Sequence, residues 1–332
     1  MKKLRVGLDN YCLFPKNLMP DEVVTWASVN GAEGVAFSGF SDVYLEKLTT
    51  SYLHDVRQRA ADLNLYLEWG SGQHVPMDLT NFTKKEIFDS NRKIVEKACA
   101  LGTRIIRSCS GGLMRWKEDA PDTEVFLNEA AIELKREAQM FRDNGVILAI
   151  ETHFEFTTFE LLRLFEMCDA VPDDWIGICL DTMNLLTMLE DPLAATERVI
   201  PWVVSTHIKD GGILISEDGI TTFPAPIGKG IVDIEAIIRR LQSLNKEISL
   251  SVECHGGSFF LPINKTWFRG RFPDLSDNEY NELMKLADIT SDKTKTGELK
   301  ITERSDWPMI CEERTRNDIK NLKIIRDRLN FN

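Results

Sequence analysis

Eight short apolar runs, each followed by a longer amphipathic stretch, predict a closed (β/α)₈ TIM barrel for this 332-residue chain. Three observations carry that expectation. The runs are almost continuously apolar, the pattern of parallel strands covered on both faces. Their number fits the length that one such barrel occupies. The Gly-x-Gly-x-x-Gly fingerprint of a doubly wound dinucleotide sheet is missing after the first run, and there is no Walker A motif.

Taken in order, "LRVGLD" (4–9) leads to a helix opening near Pro20-Asp21. "EGVAF" (33–37) precedes a helical stretch across 42–63, and "LYLEWG" (65–70) precedes a long loop and a helix from about 84 to 101. "TRIIRSC" (103–109) leads to a helix near 122–144, and "VILAIE" (146–151) to one near 157–169. "IGICLD" (176–181) is followed by a helix near 190–199. "WVVSTHI" (202–208) is followed by a helix that Asp233 is suited to cap. "ISLSVE" (248–253) is the eighth strand, and helical patterns return near 276–288 and 308–330. Residues 1–292 are read as the barrel and 293–332 as a charged helical extension packing on it. The loops at 70–83 and 256–275 exceed ordinary connections, and long loops in barrels often carry function.

A hydrophobic fraction of 43% supports a large core, and a net charge of −12 makes nucleic-acid backbones poor partners. With no apolar leader and no 18-residue apolar span, neither a secretory nor a membrane segment is visible, and a cytoplasmic location is expected. The seven cysteines show no CxxC pair and several lie inside apolar patterns, which suits a reducing compartment.

The site of such a barrel lies at the C-terminal ends of its strands. There the fifth run ends in Glu151, the sixth in Asp181, the seventh in His207 and the eighth in Glu253. Any one of these residues has an ordinary explanation, as a helix cap or a loop contact. Four in succession, about 45° apart around the ring, point to a shared centre. Three carboxylates and an imidazole suit one divalent ion, Mn²⁺ first, with Mg²⁺, Co²⁺ or Zn²⁺ as alternatives. A hydroxy-ketone could chelate that ion, and Glu151 and Glu253 would then move protons on either side of the substrate.

The segments "IETH", "ICLDTMN", "THIKD", "PIGKGIVD" and "SVECHGG" resemble the sugar-phosphate isomerase/epimerase family of xylose-isomerase-like TIM barrels, over residues from about 4 to 257. The resemblance implies one divalent metal, often Mn²⁺, held by Glu151, Asp181, His207 and Glu253, with the two glutamates as the acid/base pair. The ketose 3-epimerases carry a substrate-binding histidine where this chain has Asn184. The multi-zinc endonuclease branch needs histidines that the second and third runs lack.

The expected activity is therefore a metal-dependent isomerase or epimerase acting on a sugar, keto-sugar or polyol. A lyase of the dehydroshikimate-dehydratase or keto-glycoside-cleaving kind is the alternative, and a non-catalytic sugar-binding barrel the third. His153, Asn184, Lys209, Asp210, His255, Trp69, Arg107 and His74 are the candidate substrate contacts. Each has a plainer reading: a loop hydrogen bond for either histidine beside a glutamate, a turn cap for Asp210, solvation for Lys209, core packing for Trp69, a salt bridge for Arg107. The glycines of "PIGKGIVD" fit a phosphate turn or an ordinary loop. The aromatic, basic segment 256–275 fits a lid, a contact between copies in a homo-oligomer, or a loop packing its own rings, and Arg269 and Arg271 within it fit an anionic substrate.

Overall fold

The computed structural model describes residues 4–40, 42–112, 114–244 and 246–330. In it the eight runs close into a parallel barrel. Its strands are β1 (Arg5–Asp9), β2 (Gly34–Phe37), β3 (Tyr66–Gly72), β4 (Ile105–Ser108), β5 (Ile147–Glu151), β6 (Ile176–Asp181) and β7 (Val203–Ile208). Two strands outside the barrel, β8 (Asp210–Ile215) and β9 (Ile220–Ala225), precede the eighth, β10 (Ser249–Val252). The order around the ring is β1-β10-β7-β6-β5-β4-β3-β2. Every residue of β5, β6 and β7 is buried, because helices cover their outer faces and packed side chains fill the inside. No helix among the described residues is long and apolar enough to cross a membrane.

Register aims the strand ends. Asp181 pairs directly with His207 across β6 and β7, and Val252 pairs with Ile208, so Glu253 emerges just above the level of His207. A capping box starts the helix Thr158–Met167: Glu160 N–H donates to the Thr157 hydroxyl (3.3 Å) and Thr157 N–H to the Glu160 carboxylate (2.8 Å). That box fixes the chain just past His153. Asp233 caps the helix Ile234–Gln242 as expected, accepting from Ala236 N–H at 2.9 Å.

Two expectations are corrected. Residues 210–225, passed over between the seventh run and the helix at Asp233, form an antiparallel hairpin of β8 and β9. The segment 256–275, read as lacking strand structure, contributes β11 (Phe259–Leu261), which pairs with β9 to complete a three-stranded sheet. The hairpin was signalled by "ILISEDGITTF", two β-prone runs around a Ser-Glu-Asp-Gly turn that Ser216 N–H closes onto Gly219 O. Three residues of β11 are too few for periodicity to show.

Beyond the barrel, the helix Asp277–Lys295 packs on β8, and the helix Trp307–Asn330 packs on the 3₁₀ turn Asn10–Lys16 after β1. The indole of Trp307 is fully buried and donates to Cys12 O at 3.1 Å.

Candidate metal centre

Glu151, Asp181, His207 and Glu253 are all buried, and one ligand atom from each lies within 4.8 Å of the others. Local chemistry holds each in place. Asp181 Oδ1 accepts from the N–H groups of Met183 (3.0 Å) and Asn184 (2.9 Å), which leaves Oδ2 facing inward. The threonine after a ligand on one strand ties that strand end to the next. Thr152 exchanges hydrogen bonds with the Asp181 backbone, 2.8 and 3.0 Å. Thr182 does the same with the Lys209 backbone, 2.9 and 2.6 Å. The Glu-Thr and Asp-Thr pairs of the sequence are thus a candidate ligand followed by a clamp.

His207 Nε2 lies 3.3 Å from Asp9 Oδ2, at the end of β1, which orients the ring so that Nδ1 faces Glu151 Oε1 (3.4 Å) and Glu253 Oε2 (3.9 Å). Asp9 is itself fixed by Tyr11 N–H and the Ser38 hydroxyl. Three atoms at the centre, Asp181 Oδ2, His207 Nδ1 and Glu253 Oε2, are buried without a well-directed hydrogen bond. Buried polar atoms are rarely left this way. Two carboxylate oxygens and an imidazole nitrogen converging with only loosely directed ionic contacts fit a divalent cation.

Cationic side chains balance the cluster. Arg107 Nη1 is 2.8 Å from Glu151 Oε2, and Asn184 Nδ2 donates to Glu151 Oε1 at 3.3 Å. Lys209 Nζ is 2.8 Å from Asp181 Oδ2 and also touches Glu253 Oε2. Burial works to raise the Glu151 carboxyl, but the charges of His207 and Arg107 hold it well below the usual range. For Glu253 burial is outweighed by Lys209 and His207, which bring it down to about 2. Burial dominates at Asp181, pushing it up to about 6 against the pull of Lys209. Burial works against the Lys209 ammonium, but Asp181 and Glu253 hold its proton well above the ordinary range.

Above the cluster lies a cavity of about 530 Å³ lined by Glu151, Glu253 and five of the expected contacts: Arg107, His153, Asn184, Lys209 and His255. The other three are elsewhere. Trp69 is buried in the barrel against Phe37 and Phe40. His74 is fully buried with Nδ1 2.9 Å from Ser108 Oγ, and burial lowers its pKa to about 4. Asp210 accepts from the N–H groups of Gly211, Gly228, Gly230 and Val232, at 2.8 to 3.1 Å, so it organises the "PIGKGIVD" turn. A Cβ on Gly230 would lie 2.0 Å from Asp210 Oδ1, so the glycine there serves this turn.

Of the two basic residues in 256–275, Arg271 is spent on the carbonyls of Pro121, Glu118 and Ala120. Arg269 lies over the Tyr280 ring. Two of the segment's rings pack inward, Phe259 against Phe154 (4.6 Å) and Phe268 against Trp116 (5.6 Å), while Phe260 is exposed.

Sequence reasoning missed several residues. Asp9 ends the first strand as Asp181 ends the sixth, and the same strand-end test finds it. Cys109, His153 and Glu155 form a second group at the mouth, with Glu155 Oε2 3.1 Å from His153 Nδ1. Tyr11 and Arg304 also line the cavity, and Arg304 comes from beyond the barrel. Nothing local in the sequence marks it.

Residues 24–271 match the family described as xylose isomerase-like TIM barrel. The chain is 26% identical over 259 residues to the 3-oxo-isoapionate decarboxylase of Pectobacterium atrosepticum, covering 75% of this chain and 85% of that one. A probable 3-DHS dehydratase involved in petrobactin synthesis from Bacillus anthracis superposes with a TM-score of 0.57 at 17% identity, over 87% of this chain and 99% of that one. D-psicose 3-epimerase with D-tagatose, from Clostridium cellulolyticum H10, gives 0.59 at 12% identity, over 86% and 99%. At such identities the solved structures share the fold.

Proposed function

Because the chain belongs to the xylose isomerase-like TIM barrel family, we propose that it is a divalent-metal-dependent enzyme acting on a keto-sugar or related polyol through an enediolate. One observation carries this reading: the side chains of Glu151, Asp181, His207 and Glu253, all buried, each bring one ligand atom within 4.8 Å of the others beneath an open cavity. Glu151, Asp181, His207 and Glu253 would hold the ion. An oxygen-rich set with one imidazole suits Mn²⁺. When bound, the ion supplies a Lewis acid for adjacent substrate oxygens and stabilises the negative charge of the enediolate.

The chain's own groups supply proton traffic and orientation. Glu151 and Glu253 line the cavity and are the candidates for acid and base in isomerisation or epimerisation. His153 and His255 line the same cavity and are candidate hydroxyl contacts.

A second reading, a lyase, is favoured by the surroundings of Glu151. Arg107 and Asn184 occupy both its oxygens, and the charges of His207 and Arg107 keep it anionic, which suits poorly a group that must gain and return a proton. Loss of carbon dioxide from a 3-oxo acid needs no base. The carbon–carbon electron pair passes to the enolate, which then takes one proton. Lys209, a buried ammonium lining the cavity, is placed to offset the enolate charge, and the proton would come from solvent. The decarboxylase relative supports the same direction.

The test is incubation of Mn²⁺-loaded protein in D₂O with ketoses and with sugar-derived 3-oxo acids, followed by NMR. Deuterium entering an intact carbon skeleton supports isomerase or epimerase. Release of bicarbonate or water supports lyase. No turnover of either class, with no Mn²⁺-dependent rise in melting temperature, sinks the enzyme reading and leaves the sugar-binding barrel.

A further inference from the structure

We propose that Arg304 recognises an anionic group on the substrate, a carboxylate or a phosphate carried apart from the reacting carbons. The inference rests on the cavity being the substrate site and names the substrate class it takes.

Three Lys and Arg side chains line the cavity, Arg107, Lys209 and Arg304, beside His153, which Glu155 matches. The first two are matched, Arg107 by Glu151 and Lys209 by Asp181 and Glu253. Among the described residues no carboxylate pairs with Arg304. Its guanidinium donates to the Tyr11 hydroxyl and lies over the rings of Tyr11 (6.0 Å) and Phe14 (5.7 Å), which are stacked on each other at 5.1 Å. A guanidinium has five N–H donors, so this aromatic ledge orients the group without exhausting it.

The position is built into the backbone. Arg304 sits in the strap of residues 299–306 that joins the last two helices. Gly257 N–H donates to Thr302 O at 2.8 Å. Gly256 lies so close that a Cβ there would be 2.5 Å from Glu303 O. The buried Trp307 anchors the far end of the strap. The glycines of "SVECHGG" thus let the strap seat directly against the chain that follows His255, with Arg304 reaching the cavity.

Charge points the same way. With a divalent ion in the cluster, Arg107, Lys209 and the ion balance the three ligand carboxylates and the buried Asp9, and Arg304 adds one positive charge. A neutral sugar leaves that charge, on the exposed Arg304, to solvent, whereas an anionic one pairs with it. The strap lies outside the family match, which ends at residue 271, so this selectivity belongs to the extension.

Three ketoses that differ only at C6 test this: D-fructose, D-fructuronate and D-fructose 6-phosphate. Their binding to the full-length chain, to R304Q and to R304K is measured by calorimetry, with Mn²⁺ and after chelation. The wild type should bind at least one anionic sugar about tenfold more tightly than fructose, the scale of one charge-assisted hydrogen-bonded pair. Whichever binds tighter identifies carboxylate or phosphate. R304Q should lose the preference and leave fructose affinity within about twofold, since a neutral ligand does not draw on the charge. R304K, which keeps the charge, should retain part of the preference even if R304Q loosens the strap. A wild type with no anion preference, or an R304Q that keeps it, overturns the proposal. Failure to bind Mn²⁺ with the preference intact overturns only the metal reading.

Discussion

Replacing Lys209 by methionine tests how the centre is balanced. The lysine is 4% exposed, and its ammonium bridges Asp181 Oδ2 and Glu253 Oε2, two of the three atoms without well-directed hydrogen bonds. Methionine keeps most of the stem and removes the charge. Removing one partner of a buried ion pair costs about 3–5 kcal/mol, because the remaining charge stays buried. The lower end applies here, since Asp181, already raised to about 6, takes up a proton with little resistance. At about 2.1 cal/mol/K of unfolding entropy per residue, a chain of 332 residues loses about 1.5 °C per kcal/mol, so metal-free K209M should melt about 4–5 °C below the wild type. A divalent ion would compete with Lys209 for the same two carboxylates. At about a thousand times its Kd it contributes about 4 kcal/mol to the wild type. It should contribute more to K209M, where no ammonium has to yield, so Mn²⁺ should narrow the gap between the two proteins. Scanning calorimetry after chelation and again with excess Mn²⁺ reads both numbers. If K209M melts with the wild type when metal-free, or the gap is unchanged by Mn²⁺, lysine and metal do not share those carboxylates and the electrostatic account is wrong.

Asp210→Ala leaves four backbone N–H groups of the 211–232 turn without their acceptor, and urea unfolding should show a loss of about 2–4 kcal/mol after partial hydration; a loss under 0.5 kcal/mol would mean the turn holds itself. Glu137, buried on the helix Thr123–Asp143 with Asn91 donating to it at 2.7 Å, is pushed up to about 8 by burial. The unfolded chain releases that proton near the ordinary value of 4.5, so this group costs stability progressively as pH rises from 4.5 to 8 and nothing below. Glu137→Gln should therefore match the wild type at pH 4 and exceed it by about 2–4 kcal/mol at pH 8, and parallel pH profiles would refute the assignment. Gly256→Ala drives a methyl into Glu303 O and the Arg304 backbone, so it should cost about 1–3 kcal/mol and make residues 299–306 more open to limited proteolysis. An unchanged digestion pattern would show that the strap is not seated on that glycine.

The barrel was legible because its signal is local and repeated. Apolar runs such as "VILAIE" and "IGICLD" carry their burial on both faces in their own composition. The four ligand-type residues were legible for a related reason: a barrel converts position within a strand into height along the axis, so four strand ends become one ring. The hairpin of β8 and β9 was marked by its turn, yet it went unread because Gly211 and Gly212 at its start look like loop. Lys209 was open to a solvated reading, since no local pattern says that a lysine after a strand end is buried between two carboxylates.

Chain order alone determined the repeating strand–helix unit, the level of Glu151, Asp181, His207 and Glu253, and the cap at Asp233. Those follow from periodicity of 2 and 3.6 residues and from short-range hydrogen bonding. Tertiary structure alone decided which side chains share the mouth. Trp69, His74 and Asp210 were spent on packing and on a turn, although their sequence positions matched those of Arg107 and Asn184. Asp9 reached His207 from 198 positions away in the chain, by closure of the ring. Arg304 reached the cavity only because the last two helices carry the strap back across two glycines. Such contacts depend on where distant segments meet in space, a quantity to which no local pattern of residues is sensitive.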